Sequence, residues 1–132
     1  MAEEVNKKRK EIATKLLPTP YPILDIGTST TEGYSKIIRN SKSIVFSGPV
    51  GVFENKEFEV GTRKIFEAIA SSKAYSLIGG GDTVSAAEKF GMTQKMGYVS
   101  TAGGALIEFL MGQKLPGVVA LEEAAKRERA RY

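Results

Sequence analysis

Gly79-Gly80-Gly81-Asp82-Thr83 decides how this chain is read. An apolar, strand-like run over residues 74–78 leads into it, and a helix-like pattern over residues 85–90 leads away. Glycine lets the backbone turn tightly and approach a ligand. The free N–H groups that open a helix point outward, and the helix dipole favours negative charge at that end, so the stretch is a candidate phosphate cradle. Asp82 adds a hard oxygen ligand for Mg²⁺ and Thr83 adds a hydroxyl. Ser47-Gly48-Pro49-Val50-Gly51 and Thr101-Ala102-Gly103-Gly104 repeat the arrangement, each behind an apolar run of its own. Taken singly, each turn is also explained as a tight strand-to-helix connection, with Asp82 as a helix cap and Gly103 and Gly104 as sites of close packing. Three in succession point to one shared anionic ligand.

Working outward, short β-like runs alternate with amphipathic stretches of helical length. Strands are predicted at residues 22–26, 43–46, 74–78 and 97–100. Helical faces carry Tyr34, Ile37 and Ile38; Ile65, Phe66 and Ile69; Ala86, Ala87 and Phe90; Leu106, Ile107 and Leu110; and Leu121, Ala124 and Ala125. The order predicts an α/β fold, a parallel sheet of about four strands with helices on both faces in a Rossmann-like three-layer arrangement. In such sheets ligands collect at the carboxyl ends of the strands, where all three glycine turns fall. Ser29-x-x-Glu32 and Ser85-x-x-Glu88 match the capping box, and Gly91 is placed to stop the third helix. Residues 2–17 are helical in composition but follow no strand, and residues 18–22 read as an extended, proline-rich connector. Leu115-Pro116-Gly117 breaks the pattern before a last helix that is free to leave the sheet layer.

With 132 residues, 42% hydrophobic and 26% charged, the chain has the size and composition of one soluble domain or part of one. No apolar stretch approaches the roughly 20 residues of a membrane span, and the charged start lacks a signal-peptide core, so a cytoplasmic protein with no membrane association is expected. The absence of cysteine and histidine excludes disulfides, thiol nucleophiles, imidazole bases and Cys/His zinc sites. Any chemistry runs on carboxylates, hydroxyls, basic groups or backbone dipoles. Much of the basic excess behind the +4 net charge lies in Lys7-Lys8-Arg9-Lys10 and near the carboxyl end, with no interleaved aromatics, which reads as solvated helix ends and not as a nucleic-acid surface. Neither a Gly-x-Gly-x-x-Gly fingerprint nor a Walker-type Gly-Lys-Ser/Thr occurs. Phe53 reads as core, whereas Glu54, at the end of its loop, is placed to accept hydrogen bonds from ribose hydroxyls.

Gly48-Pro49-Val50-Gly51-Val52-Phe53-Glu54, Gly61-Thr62, Ile78-Gly79-Gly80-Gly81-Asp82-Thr83, Ser100-Thr101-Ala102-Gly103-Gly104-Ala105 and Leu115-Pro116-Gly117-Val118 together resemble phosphoglycerate kinase in the family's order and spacing. The resemblance runs from about Asp25 to the end. It covers the C-terminal third of that enzyme, within its nucleotide-binding domain, and the short loops resemble the archaeal type. It implies phosphoryl transfer between 1,3-bisphosphoglycerate and Mg-ADP, giving 3-phosphoglycerate and ATP. Carried over by position, Glu54 binds ribose, and Ser47, Pro49, Gly51 and Val52 lie along the nucleotide. Gly80, Gly81 and Thr83 contact its phosphates, Asp82 ligates Mg²⁺, and Gly81, Gly103 and Gly104 aim backbone N–H groups at the phosphoryl group in flight.

Three positions depart from the family pattern. Ser47 stands where asparagine is usual, Ala102 replaces the first glycine of a triplet, and Thr28 replaces a proline. The family's N-terminal domain, which holds phosphoglycerate, and a further nucleotide loop are expected to lie outside these 132 residues. Residues 1–117 are therefore expected to form part of the nucleotide-binding domain, and residues 118–132 a helix that packs on the missing domain. Such a chain binds nucleotide weakly and does not turn over alone. A stand-alone phosphate-binding module working with a partner chain, and a relic that dimerises through an exposed sheet edge, are the alternatives.

Overall fold

Where composition predicts a helix, the amino terminus forms a hairpin. The computed structural model describes residues 1–130 and opens with strands β1 (Ala2–Val5) and β2 (Lys8–Glu11), paired antiparallel with Val5 opposite Lys8. Asn6 and Lys7 connect them with φ of 52° and 62°. Two positive φ values in a two-residue loop give the turn whose twist suits a hairpin, and asparagine adopts that region readily. Helix propensity is a weak prior, and here tertiary contacts override it. Ala2 and Glu3 are buried, and Glu3 accepts a 2.6 Å hydrogen bond from the Thr19 hydroxyl.

The run predicted over residues 22–26 is a strand, β3 (Ile23–Asp25), but it joins β1 in an antiparallel sheet of order β2-β1-β3. An apolar run signals a strand without saying which sheet receives it. The parallel sheet consequently has three strands in place of four: β4 (Ser43–Ser47), β5 (Tyr75–Gly79) and β6 (Tyr98–Ser100), in the order β4-β5-β6. The helices are α1 (Thr28–Asn40), α2 (Val60–Ser71), α3 (Gly81–Lys89), α4 (Gly104–Leu110) and α5 (Pro116–Arg129).

Both crossovers, β4-α2-β5 and β5-α3-β6, step the same way across the sheet, and right-handed connections then put α2 and α3 on one face. The core bears this out. Ile65, Phe66 and Ile69 of α2 and Ala86 and Ala87 of α3 share one buried cluster with Ile78, and Ile44 and Phe46 pack against it. Phe66 is its centre, meeting Phe46 edge-on at 5.2 Å and Phe90 at 6.1 Å. The other face carries α4 over its carboxyl end, where Leu106 fills the space a Cβ on Gly79 would take. Further down that face Val45, Tyr75 and Tyr98 stay exposed.

Neither capping box operates. Gly27 is the N-cap of α1, which leaves Ser29 inside the helix, and α3 begins at Gly81, which puts Ser85 mid-helix. The opening of α1 is satisfied from a distance: the Thr28 N–H donates to both Glu11 carboxylate oxygens, at 3.1 and 3.0 Å, and the Thr28 hydroxyl donates at 2.6 Å. A proline at position 28 would have no N–H to give. Gly91 does end α3. At φ 65° its N–H donates to the Glu88 carbonyl while the Met92 N–H donates to Ala87, the paired closure of a Schellman motif. Pro116 opens α5, a helix with no buried residue.

Candidate functional site

The three glycine turns meet at Gly80. Its φ of 95° and ψ of 143° lie where L side chains are strained. A Cβ built there would stand 3.7 Å from each of Gly103 Cα, Ser47 Oγ and Thr83 Oγ1, one contact from every turn. Hydrogen bonds tie the turns together. The Gly48 N–H donates to Thr83 Oγ1 at 2.7 Å, and the Gly80 N–H donates to the Ser100 carbonyl at 3.3 Å. Thr83 is therefore buried, its oxygen engaged by the loop after β4, with only the hydroxyl hydrogen left to donate.

Asp82 is not the cap of α3. Gly80 occupies the N-cap without any side-chain bond, and Asp82 sits exposed in the first turn, in no ion pair among the described residues. Beside Gly81 and Gly104 the space is open, with no atom within 4 Å of where a Cβ would lie. Ser47 and Thr83 set their hydroxyls about Gly80, and Asp82 follows two residues later in the first turn of α3. No group of three or more His, Cys, Asp or Glu side chains able to hold a metal occurs among the described residues. A lone exposed carboxylate still fits Mg²⁺, which keeps several waters and takes one or two carboxylates together with substrate phosphates.

The loop between β4 and α2 carries Pro49, Gly51, Val52 and Glu54. Its anchors are Phe53 and Phe58, both buried, and a 2.8 Å bond from the Val52 N–H to the Leu24 carbonyl. Pro49, Gly51 and Val52 line an open hollow of about 310 Å³ together with Ile23, Leu24 and Ile26. Glu54 is exposed, one residue beyond the Phe53 anchor. Gly51 has a packing reason of its own: the Asp25 carboxylate and the Phe58 carbonyl occupy the place of its Cβ.

Asp25 is a residue that sequence reasoning passed over as a site element. It is 3% exposed, accepts the Gly61 N–H at 2.9 Å and its neighbour Ile26 N–H at 2.8 Å, and lies 3.8 Å from Arg9. Burial pushes its pKa above the ordinary carboxylate value, against the two amide N–H groups and Arg9, which pull it back. The available signal was a carboxylate inside the apolar run Ile23-Leu24-Asp25-Ile26. Glu59 was likewise missed. It joins Arg63 at 2.5 Å and Lys89 at 2.7 Å, and hydrogen bonds from Lys89 and then Arg63 hold its pKa below the usual value. The Arg63 guanidinium in turn lies 4.4 Å from the centre of the Phe90 ring.

The family model for phosphoglycerate kinase matches residues 1–113, which takes in the hairpin as well as the three turns. The chain belongs to the phosphoglycerate kinase family. A phosphoglycerate kinase of the archaeon Methanothermus fervidus is 46% identical over 124 residues, covering 93% of this chain and 30% of that protein. The crystal structure of phosphoglycerate kinase from Pyrococcus horikoshii superposes with a TM-score of 0.80 at 39% identity, over 95% of this chain and 32% of that one. The Coxiella burnetii phosphoglycerate kinase superposes with a TM-score of 0.74 at 43% identity, over 85% and 30%. The chain thus spans about a third of the length of the family members it matches, and the family match begins at Met1, ahead of the Asp25 start expected from the motifs alone.

Proposed function

We propose that this chain carries the ribose, metal and part of the phosphate sites of a phosphoglycerate kinase, and that the complete enzyme moves a phosphoryl group from 1,3-bisphosphoglycerate to ADP. In that reaction the bond between phosphorus and the acyl oxygen breaks and a bond to the terminal oxygen of ADP forms. The observation that carries the reading is the convergence of three turns on Gly80. Phosphoryl transfer asks for positioning and charge stabilisation more than for a protein nucleophile, which suits a site without histidine or cysteine. Gly81, Gly103 and Gly104 supply backbone N–H groups toward the transferred group, Thr83 donates its remaining hydroxyl hydrogen, and Ser47 reaches the nucleotide from the first turn. Bound Mg²⁺ would neutralise phosphate charge, and Asp82 is the carboxylate here that would hold it. Glu54 receives the ribose, and Pro49, Gly51 and Val52 flank the nucleotide.

The other two-thirds of such an enzyme would bind phosphoglycerate and complete the adenine pocket. The exposed Val45, Tyr75 and Tyr98, and an α5 without a buried residue, support a reading in which further polypeptide packs on residues 1–117 and receives the helix of residues 118–132, whose last two lie outside the described residues. The family's reaction belongs to glycolysis, a cytoplasmic pathway, and no helix among the described residues is long and apolar enough to cross a membrane. Alone, the chain is expected to bind nucleotide weakly and to show no turnover.

Asp82→Asn tests the reading. It removes an anionic ligand and keeps the size of the side chain, so Mg²⁺ should cease to strengthen ADP binding, with thermal stability changed by less than about 1 kcal/mol, as for an exposed substitution. Titration calorimetry with ADP, with and without Mg²⁺, reads this directly. Equal weakening under both conditions, or unfolding, would show that Asp82 is structural.

A further inference from the structure

From the geometry we infer that Lys89 is a positioning residue for Glu54, an inference resting on the assignment of Glu54 to the ribose. Helix α3 touches the loop after β4 at both of its ends. At the amino end Thr83 Oγ1 accepts the Gly48 N–H at 2.7 Å. At the carboxyl end Lys89 Nζ donates to the Phe53 carbonyl at 2.5 Å. That carbonyl belongs to the peptide group that leads into Glu54. The two attachment points are six residues apart, about 9 Å of helix at 1.5 Å per residue. One rigid element therefore sets the distance between the phosphate end of the site, where Asp82 and Thr83 sit, and the ribose end, where Glu54 sits.

The lysine is itself held. Its ammonium lies 2.7 Å from Glu59 and 5.9 Å from the centre of the Phe90 ring, and Glu59 is fixed from its other side by Arg63. Its side chain is about a third exposed. A lysine in the last turn of a helix is ordinarily explained by the helix dipole. Here the ammonium reaches across to another element and spans a sequence separation of 36 residues to a backbone carbonyl. The dipole account predicts no dependence of Glu54 on this residue; the bridging account does.

Phosphate contacts and ribose contacts therefore separate by experiment, with Mg-ADP and Mg-pyrophosphate as the two probes, titrated by NMR into the full chain. Lys89→Met is expected to weaken Mg-ADP about tenfold, the factor carried by one charge-assisted hydrogen bond of about 1.4 kcal/mol, while leaving Mg-pyrophosphate within twofold. Lys89→Arg, which keeps a cation within reach, should restore most of the loss. Glu59 retains Arg63 in both variants, so no unpaired carboxylate is stranded. Equal weakening of both probes in Lys89→Met, no change in either, or failure of Lys89→Arg to recover would overturn the positioning role. Wild-type protein whose three turns ignore both probes would instead overturn the functional reading, and Glu54 with it.

Discussion

Gly61→Ala is expected to lower the stability of the fold by about 3 kcal/mol, the upper range for overpacking a filled core. Gly61 is buried in the first turn of α2, and a Cβ there would run into the Asp25 carboxylate and the Ile26 side chain at once. Asp25 cannot step aside without losing the Gly61 and Ile26 N–H bonds and its place beside Arg9. Leaving those two N–H donors unpartnered costs energy in its own right, while Arg9 keeps Glu11 and the Ile26 carbonyl. Gly33→Ala provides the control. Gly33 lies inside α1 with nothing within 4 Å of its Cβ position, so alanine there should raise stability by about 0.5–1 kcal/mol through helix propensity alone. Chemical denaturation of the two variants gives both values, and a Gly61→Ala protein as stable as the parent would contradict the packing described here.

Acid should loosen the amino-terminal hairpin through Glu11. Burial alone would raise its pKa, but hydrogen bonds from the Thr28 side chain and N–H, with Arg9, outweigh that and hold it near 2, against 4.5 in an unstructured chain. A carboxylate with a depressed folded-state pKa contributes stability that is complete above the unfolded value, and lost as pH falls through the folded one. The Glu11 contribution is accordingly intact above about pH 4.5 and gone near pH 2. Glu59, also depressed, adds a loss of the same sign, while Asp25, with a raised pKa, contributes the opposite slope. Glu11→Gln should flatten the fall between pH 4.5 and pH 2 and lower stability at pH 7, where the cap on α1 is otherwise complete. Denaturation midpoints of parent and variant across that range check it; parallel curves would mean that Glu11 is not the acid-sensitive group.

What the sequence made legible follows from where the signals are local. Glycine turns behind apolar runs are written in adjacent residues, β4, β5 and β6 lie within a residue of expectation, and α2 and α4 contain the helical faces expected of them, while α3 starts earlier than its pattern. Gly91 stops α3 as read, because a C-terminal glycine acts through its own φ. Long-range choices were not legible. The run ending at Asp25 had two sheets available, and pairing with β1 settled which one took it. The cap of α1 comes from Glu11, 17 residues away, so a capping box beginning at Ser29 was the only local candidate and the wrong one. Within the candidate site, Gly51 needs its missing side chain because of Asp25, and Thr83 is spent in part on Gly48; neither partner is near in sequence.

Three separate turns serving one Mg-nucleotide should respond as one site when ¹⁵N-labelled chain is titrated with Mg-ADP, the most direct test. Amide shifts should move together, with one binding isotherm, in Ser47 to Glu54, in Gly79 to Thr83 and in Thr101 to Gly104, while Lys7 to Lys10 and the carboxyl-terminal basic run stay still. Shifts confined to those basic segments, or different isotherms in the three turns, would contradict it.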